Sequence, residues 1–225
     1  MTYIIAEAGT NHAHKKEERR KELASKLIGA AASAGADAIK FQLFVPAENL
    51  FCPLPGDQER FYRWADTMLT RQEWLSLEYI AASNRIDLMF SAFQPSGALF
   101  AEEISSPFIK VASRAAIDYP YNRDYCYLIS TGFGRPDRSP ARYYLMQCEA
   151  KYPSTEKWRG EMPGFSDHSG DVAIGLDAIE RGVSFLEVHF NIPGCDAGPD
   201  APVCLQPADL KKLCERRNAL MRMAS

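Results

Sequence analysis

The chain has 225 residues, a formal net charge of −3, 46% hydrophobic and 24% charged residues, and six cysteines. That composition excludes a disordered tail, a collagen-like repeat and a disulfide scaffold, and a chain this long buries roughly 70% of its unfolded surface, enough for a core without metal or disulfide staples. The slightly acidic balance offers no long-range attraction to nucleic acid or an anionic membrane, so neither is expected as a partner.

The N-terminus runs directly into an apolar segment, Tyr3 to Ala6, with no basic leader, and no apolar run approaches the ~18 residues of a membrane span. Seven further short apolar runs follow, at Ala38 to Gln42, Leu88 to Phe93, Phe108 to Ala112, Tyr125 to Ser130, Tyr143 to Cys148, Gly164 to Asp167 and Ser184 to Phe190. Helical spacing of apolar residues marks Lys16 to Ala34, Gln72 to Ser83, Ala98 to Glu103, Val172 to Arg181 and Pro207 to Arg222. Strands separated by crossovers predict a (β/α)8 barrel in one domain, 1–225, though ~250 residues is more usual.

The missing length falls after strands four to six. Residues 113–124 have no amphipathic period and a central Pro120, 131–142 carry Gly132, Gly134, Pro136 and Pro140, and 152–163 read the same way, so outer helices are expected to be absent there. Tyr125, Tyr127 and Ile129 would then face outward uncovered, which predicts a homo-oligomer interface on the helix-poor side; flanking loops folding over the patch are the equal alternative. Cys52, Cys126, Cys148, Cys195, Cys204 and Cys214 form no CxxC pair, which fits a reduced, cytoplasmic chain.

Functional side chains of such a barrel sit at the C-terminal strand ends. Here those ends are polar: Glu7, then Lys40 and Gln42, Lys110 and Ser113, Ser130, Ser166 and His168, and Glu187 and His189. His168 and His189 close neighbouring strands, so both imidazoles can meet one divalent cation and leave its other positions to oxygen ligands, which suits manganese or a similar ion. His12 and His14 lie in a polar loop and read as solvated. Lys40 and Lys110 follow apolar residues, and ammonium groups buried there require anions; a phosphate and a carboxylate would serve, with the hydroxyls of Ser113, Ser130 and Ser166 and the N–H groups of Ser130-Thr131-Gly132 as further donors. Salt bridges to Glu7 and Glu187 are the structural alternative.

Several blocks then match a known family in order. Ile4 to His12 (IIAEAGTNH), Ala34 to Gln42 (AGADAIKFQ), Ile109 to Ser113 (IKVAS), Ile129 to Gly132 (ISTG), Tyr152-Pro153, Phe165 to Ser169 (FSDHS), Glu187 to Phe190 (EVHF) and Gly198 to Asp200 (GPD) resemble the sialic acid (N-acetylneuraminate) synthase family from Tyr3 to about Leu210. The resemblance implies a barrel that condenses phosphoenolpyruvate with the open-chain aldehyde of an N-acylmannosamine-like sugar. It implies His168 and His189 as metal ligands (manganese, with magnesium or cobalt as alternatives). Lys40, Lys110, Ser113, Ser130 and Ser166 would hold phosphoenolpyruvate, Glu7, Gln42 and Asp200 would face the sugar and the attacking water, and Tyr152 would line the sugar side.

Departures from the family pattern are expected to affect the sugar side. A threonine hydroxyl is replaced by Ala92, a histidine by Gln147 and a polar contact by Ala150, the loop after strand one reads Asn11-His12-Ala13-His14, and the family's small antifreeze-like domain does not follow the last helix. Two other readings stay open on these residues: a Schiff-base aldolase using Lys110, and a non-catalytic anion-binding barrel acting as a sensor or partner module.

Overall fold

In the computed structural model, which describes residues 1–43, 58–93, 95–122 and 124–224, each of the eight apolar runs forms a strand. In chain order the elements are β1 (Tyr3–Gly9), α1 (Glu17–Ala34), β2 (Ala38–Leu43), α2 (Gln58–Ala65), α3 (Arg71–Ser83), β3 (Asp87–Ala92), α4 (Pro95–Glu103), β4 (Ile109–Val111), β5 (Cys126–Ser130), β6 (Arg142–Cys148), β7 (Gly164–Asp167), α5 (Val172–Glu180), β8 (Phe185–His189) and α6 (Pro207–Ala224), with a 3-10 turn at Gly198–Val203 before α6. The strands pair in parallel and in sequence order, β8 closing on β1, into a barrel. The expected (β/α)8 architecture is therefore present, and among the described residues no helix lies between β4 and β7. Helix α2 was not expected. No helix among the described residues is long and apolar enough to cross a membrane.

The two-residue alternation of strands explains both what fills the barrel and what lines its mouth. At the N-terminal end Tyr3, Phe108, Tyr144 and Phe185 pack ring against ring as a plug. One pleat further along, Ile5, Ala38, Met89, Leu128 and Met146 form a dry layer. The next inward positions are the polar ones: Glu7, Lys40, Ser91, Lys110, Ser130, Ser166 and Glu187, all buried. Outward positions such as Ile39, Phe41, Phe90, Val111 and Leu186 join the larger core under the helices. Local chemistry sets the helix ends: Gly35 takes φ 91° and its N–H returns to the last turn of α1, while Thr70 and Glu73 form a reciprocal cap on α3.

The helix-poor side is covered by its own chain. Tyr127 is fully buried, with the rings of Tyr119, Tyr121 and Tyr125 against it, and the Asn122 N–H donates to the Tyr127 hydroxyl at 2.9 Å. Further on, Trp158 is buried under the Arg181 guanidinium, 5.6 Å from its ring centre. Aromatic side chains on irregular loops thus replace amphipathic helices, and the uncovered face on which the oligomer expectation rested is filled. His12 also differs from its expected solvated state: it is buried between Phe41 and Trp74 and hydrogen-bonds the Thr67 carbonyl at 2.9 Å. None of the described cysteines is in a disulfide; Cys52 lies outside the described residues.

The two ends of the chain are tied where the barrel closes. Arg217 on α6, 6% exposed, bonds the Asp37 carboxylate and the Gly35 carbonyl (2.9 Å), and Asp37 also accepts the Ile4 N–H at 2.7 Å. Arg217→Ala removes one partner of a largely buried charged network and is expected to lower the unfolding free energy by about 3 kcal/mol in urea denaturation. A loss below about 0.5 kcal/mol would show that the tie contributes nothing to closure.

Candidate active site

The C-terminal ends of the strands surround a cavity of about 960 Å³. All eleven residues singled out from the sequence line it: Glu7, Lys40, Gln42, Lys110, Ser113, Ser130, Tyr152, Ser166, His168, His189 and Asp200. Side chains from seven strands or strand-end loops converge: Glu7, Lys40, Gln42, Lys110, Ser130, Ser166, His168 and His189 take inward positions along their strands or just past their ends, and Ser113, Tyr152 and Asp200 come from the loops beyond.

The floor is a buried array of charges. Lys40 Nζ contacts the Glu7 carboxylate, donates to Ser91 Oγ at 2.6 Å and lies 3.6 Å from Glu187 Oε2. Lys110 Nζ donates to Ser130 Oγ at 2.8 Å and lies 3.3 Å from Glu187 Oε1, which also accepts from Ser166 Oγ at 2.7 Å. Glu187 is therefore the hub between two ammonium groups. Burial opposes its ionisation, but Lys110 and then Lys40 overcome that and hold its carboxyl below the usual range. Burial also opposes charge on Lys40, and Glu187 and Glu7 reverse this and raise its pKa. Glu7 differs: burial, with repulsion from Glu187, outweighs Lys40 and pushes it up to about 7. The salt-bridge alternative is thus observed, with a net charge that depends on whether Glu7 carries a proton.

At the ends of β7 and β8, next to this array, two imidazoles converge, with Ser166 Oγ 3.4 Å from His168 Nε2. His168 Nδ1 lies 2.6 Å from the Glu149 carbonyl, which can only accept, so the proton sits on Nδ1 and the Nε2 lone pair is free to face inward. His168 Nε2 and His189 Nε2 are 3.2 and 3.3 Å from one atom, the Tyr152 hydroxyl. Burial, with His189 adding to it, lowers the His168 pKa to about 4, and burial lowers that of His189 to about 4. Both rings are neutral near pH 7, the state a metal ligand needs. Among the described residues no group of three His, Cys, Asp or Glu side chains is placed to hold a metal ion. Two imidazoles facing one point do not make a closed structural site, but they fit an open divalent position completed by oxygen ligands.

The third group lies around the close approach at Gly9. A methyl group there would come within 3.1 Å of Glu7 Oε1 and 3.6 Å of both Gln42 Nε2 and Asp200 Oδ2, so these three polar ends face one small volume. Asp200 Oδ2 is also 3.6 Å from His189 Nδ1. Three expectations fail here. Gly132 N–H already donates to Ser113 Oγ at 3.2 Å and Thr131 N–H to the Met146 carbonyl at 3.1 Å, so those backbone groups are committed. Gln147 faces away from the cavity: its amide bonds the Lys157 carbonyl and the Arg159 N–H, both at 2.8 Å. Ala92 packs near Gly97 and Leu43 instead of lining the cavity, whereas Ala150 does line it. Sequence reasoning did not assign Ser91, Arg63, Trp64, Arg114 or Phe133, which also line the cavity. Ser91 was legible in principle as the inward neighbour of Lys110 on β3; Arg63 and Trp64 arrive on α2.

The model of the NeuB family matches residues 27–134 and 136–225. The N-acetylneuraminate-9-phosphate synthase of Drosophila melanogaster is 27% identical over 254 residues, a match that takes in 94% of this chain and 66% of that protein. The N,N'-diacetyllegionaminic acid synthase of Campylobacter jejuni is 26% identical over 257 residues, covering 95% of this chain and 74% of that one. Both alignments are longer than this chain, so the relatives carry insertions relative to it. The crystal structure of the N-acetylneuraminic acid synthetase of Leptospira borgpetersenii shares the fold, with a TM-score of 0.75 at 24% identity over 100% of this chain and 85% of that one. A family match spanning the barrel from its first helix to its last shows that this chain belongs to the NeuB family.

Proposed function

We propose that this protein condenses phosphoenolpyruvate with the open-chain aldehyde of an N-acylmannosamine-like sugar, releasing phosphate and a 2-keto-3-deoxy sugar acid. The observation that carries the reading is the buried pair Lys40 and Lys110, bracketed by Ser91, Ser130 and Ser166 and lining one cavity with two neutral imidazoles. Phosphoenolpyruvate carries a phosphate and a carboxylate, and two ammonium groups with hydroxyls between them match that pair of anions.

In the reaction the terminal enol carbon forms a bond to the aldehyde carbon, whose oxygen takes a proton. Water then adds to the carbon bearing the phosphate, and the bond from that carbon to the phosphate oxygen breaks. Lys40 and Lys110 hold the anions and orient the enol carbon. Glu7, which populates both protonation states near pH 7, is placed with Gln42 and Asp200 to move a proton to or from the sugar oxygen and the water. A divalent ion, manganese foremost, with magnesium or cobalt as alternatives, would be held by His168 and His189 and would supply Lewis-acid polarisation of the aldehyde oxygen. A Schiff base on Lys110 is less well supported, because forming it would break the contacts of Lys110 with Glu187 and Ser130.

Phosphate release from phosphoenolpyruvate and an N-acylated mannosamine in the presence of manganese is the direct test. His168→Ala is expected to reduce it about 100-fold or more, as is a chelator; release indifferent to both would remove the imidazole pair from the reaction. A second expectation concerns pH. A protonated Glu7 leaves two ammonium groups against one carboxylate, whereas an ionised Glu7 cancels the remaining positive charge, so affinity for phosphoenolpyruvate should weaken as pH rises through about 7. In Glu7→Gln, calorimetric titration between pH 6 and 8.5 should lack that weakening; an unchanged pH profile would contradict the assignment.

A further inference from the structure

The wall of the cavity above Asp200 is held by one side chain that the reaction scheme does not use. Arg63, on α2 and 14% exposed at its side chain, donates through Nε to Thr10 Oγ1 at 2.7 Å and through Nη2 to the Thr10 carbonyl at 3.2 Å. Its Nη1 meets Asp196 Oδ2 at 3.0 Å, and Nη2 also bonds the Asp196 carbonyl. The fork therefore joins α2 to the turn after β1 and to the loop between β8 and α6. Its flat face packs on Gly198, where φ is +52° and an added methyl carbon would lie 2.6 Å from the guanidinium carbon. The Gly198 N–H, and after it Arg63, hold the Asp196 carboxyl below its usual range, so both ends of the contact are fixed. Two residues beyond Gly198 is Asp200, whose N–H bonds the Ala197 carbonyl at 3.1 Å and whose carboxylate faces His189.

We propose that Arg63 is a positioning residue: its guanidinium welds α2, Thr10 and Asp196–Gly198 into one rigid wall and thereby sets Asp200 against His189 on the acceptor side of the cavity. Residues distant in sequence are joined by a planar, multi-donor fork that a lysine cannot reproduce. Asp200 belongs to the half of the site that orients the aldehyde and water, so loosening the wall should slow turnover without weakening the phosphoenolpyruvate half, where Lys40 and Lys110 are separately braced. The kinetic part of this inference rests on the proposed condensation; the structural part does not.

Hydrogen exchange and steady-state kinetics on the full chain test it together, using Arg63→Ala, Arg63→Lys and Gly198→Ala. Asp196 is 75% exposed at its side chain, so removing Arg63 returns a surface carboxylate to water, and unchanged exchange of the strand amides reports that the barrel stays folded. All three variants are expected to exchange the amides of residues 196–203 about tenfold faster, with the strand amides unchanged. They should also lose about 100-fold in kcat, with KM for phosphoenolpyruvate within about threefold of the parent. Unchanged exchange at 196–203, a full-strength Arg63→Lys, or faster exchange with kcat intact would each overturn the proposal. A parent protein that turns over no phosphoenolpyruvate refutes the condensation, and the exchange comparison then decides on the wall by itself.

Discussion

Burying charge on the inward layer of the barrel is costly, and the way it is balanced shapes the floor of the cavity. Two ammonium groups and two carboxylates sit on one inward layer with essentially no contact with water. Removing either kind of charge from water costs several kcal/mol per ion unless close partners replace the lost hydration. Glu187 offsets part of this cost by bridging Lys40 and Lys110, with Ser91, Ser130 and Ser166 supplying hydrogen bonds to the array, while Glu187 Oε2 is left without a hydrogen bond among the described residues. Its net charge is adjustable, because burial and the neighbouring Glu187 push the Glu7 pKa up to about 7. Acquiring a proton there converts a neutral cluster into a cationic one suited to an anion.

The imidazole pair beside this cluster is built on a different principle. His168 and His189 are kept uncharged by burial, and a carbonyl fixes the tautomer of His168 so that its free lone pair points inward. An ammonium–carboxylate cluster and a neighbouring pair of neutral donor nitrogens thus line the same cavity, and under the proposed condensation the first would take the anionic enol and the second would face the aldehyde. Beside His189, Arg63 on α2 bonds both Thr10 in the turn after β1 and Asp196 in the loop between β8 and α6, so three segments meet at one guanidinium.

The sequence revealed what depends on periodicity. Inward positions follow the two-residue alternation, so Glu7, Lys40, Lys110, Ser130, Ser166 and His189 could each be placed at a strand end before any coordinates were known. The absent helices after β4 to β6 were likewise visible in Pro120, Gly132, Pro136 and Pro140. Contacts between irregular segments were not visible. Tyr119 and Tyr121 cover Tyr127 with no helical period to announce it, and His12 in a polar stretch is buried because Phe41 and Trp74 arrive from other elements. Arg63 sits on a helix of eight residues, too short for a periodic signal, and its partner Asp196 lies 133 positions away. The departures at Ala92 and Gln147 suggested changes in the cavity, yet both side chains sit outside it, because strand alternation turns them to the outer face.

The proposed chemistry depends most directly on the two lysines as the anion site. Calorimetric titration of phosphoenolpyruvate at pH 6.5 into the parent protein, Lys110→Met and Glu187→Gln decides the matter. Saturable one-to-one binding by the parent is expected, with affinity lost about 100-fold in Lys110→Met, which removes an ammonium group, and retained or strengthened in Glu187→Gln, which removes an opposing carboxylate. Equal binding by the parent and Lys110→Met, or no binding by a folded parent, would contradict it.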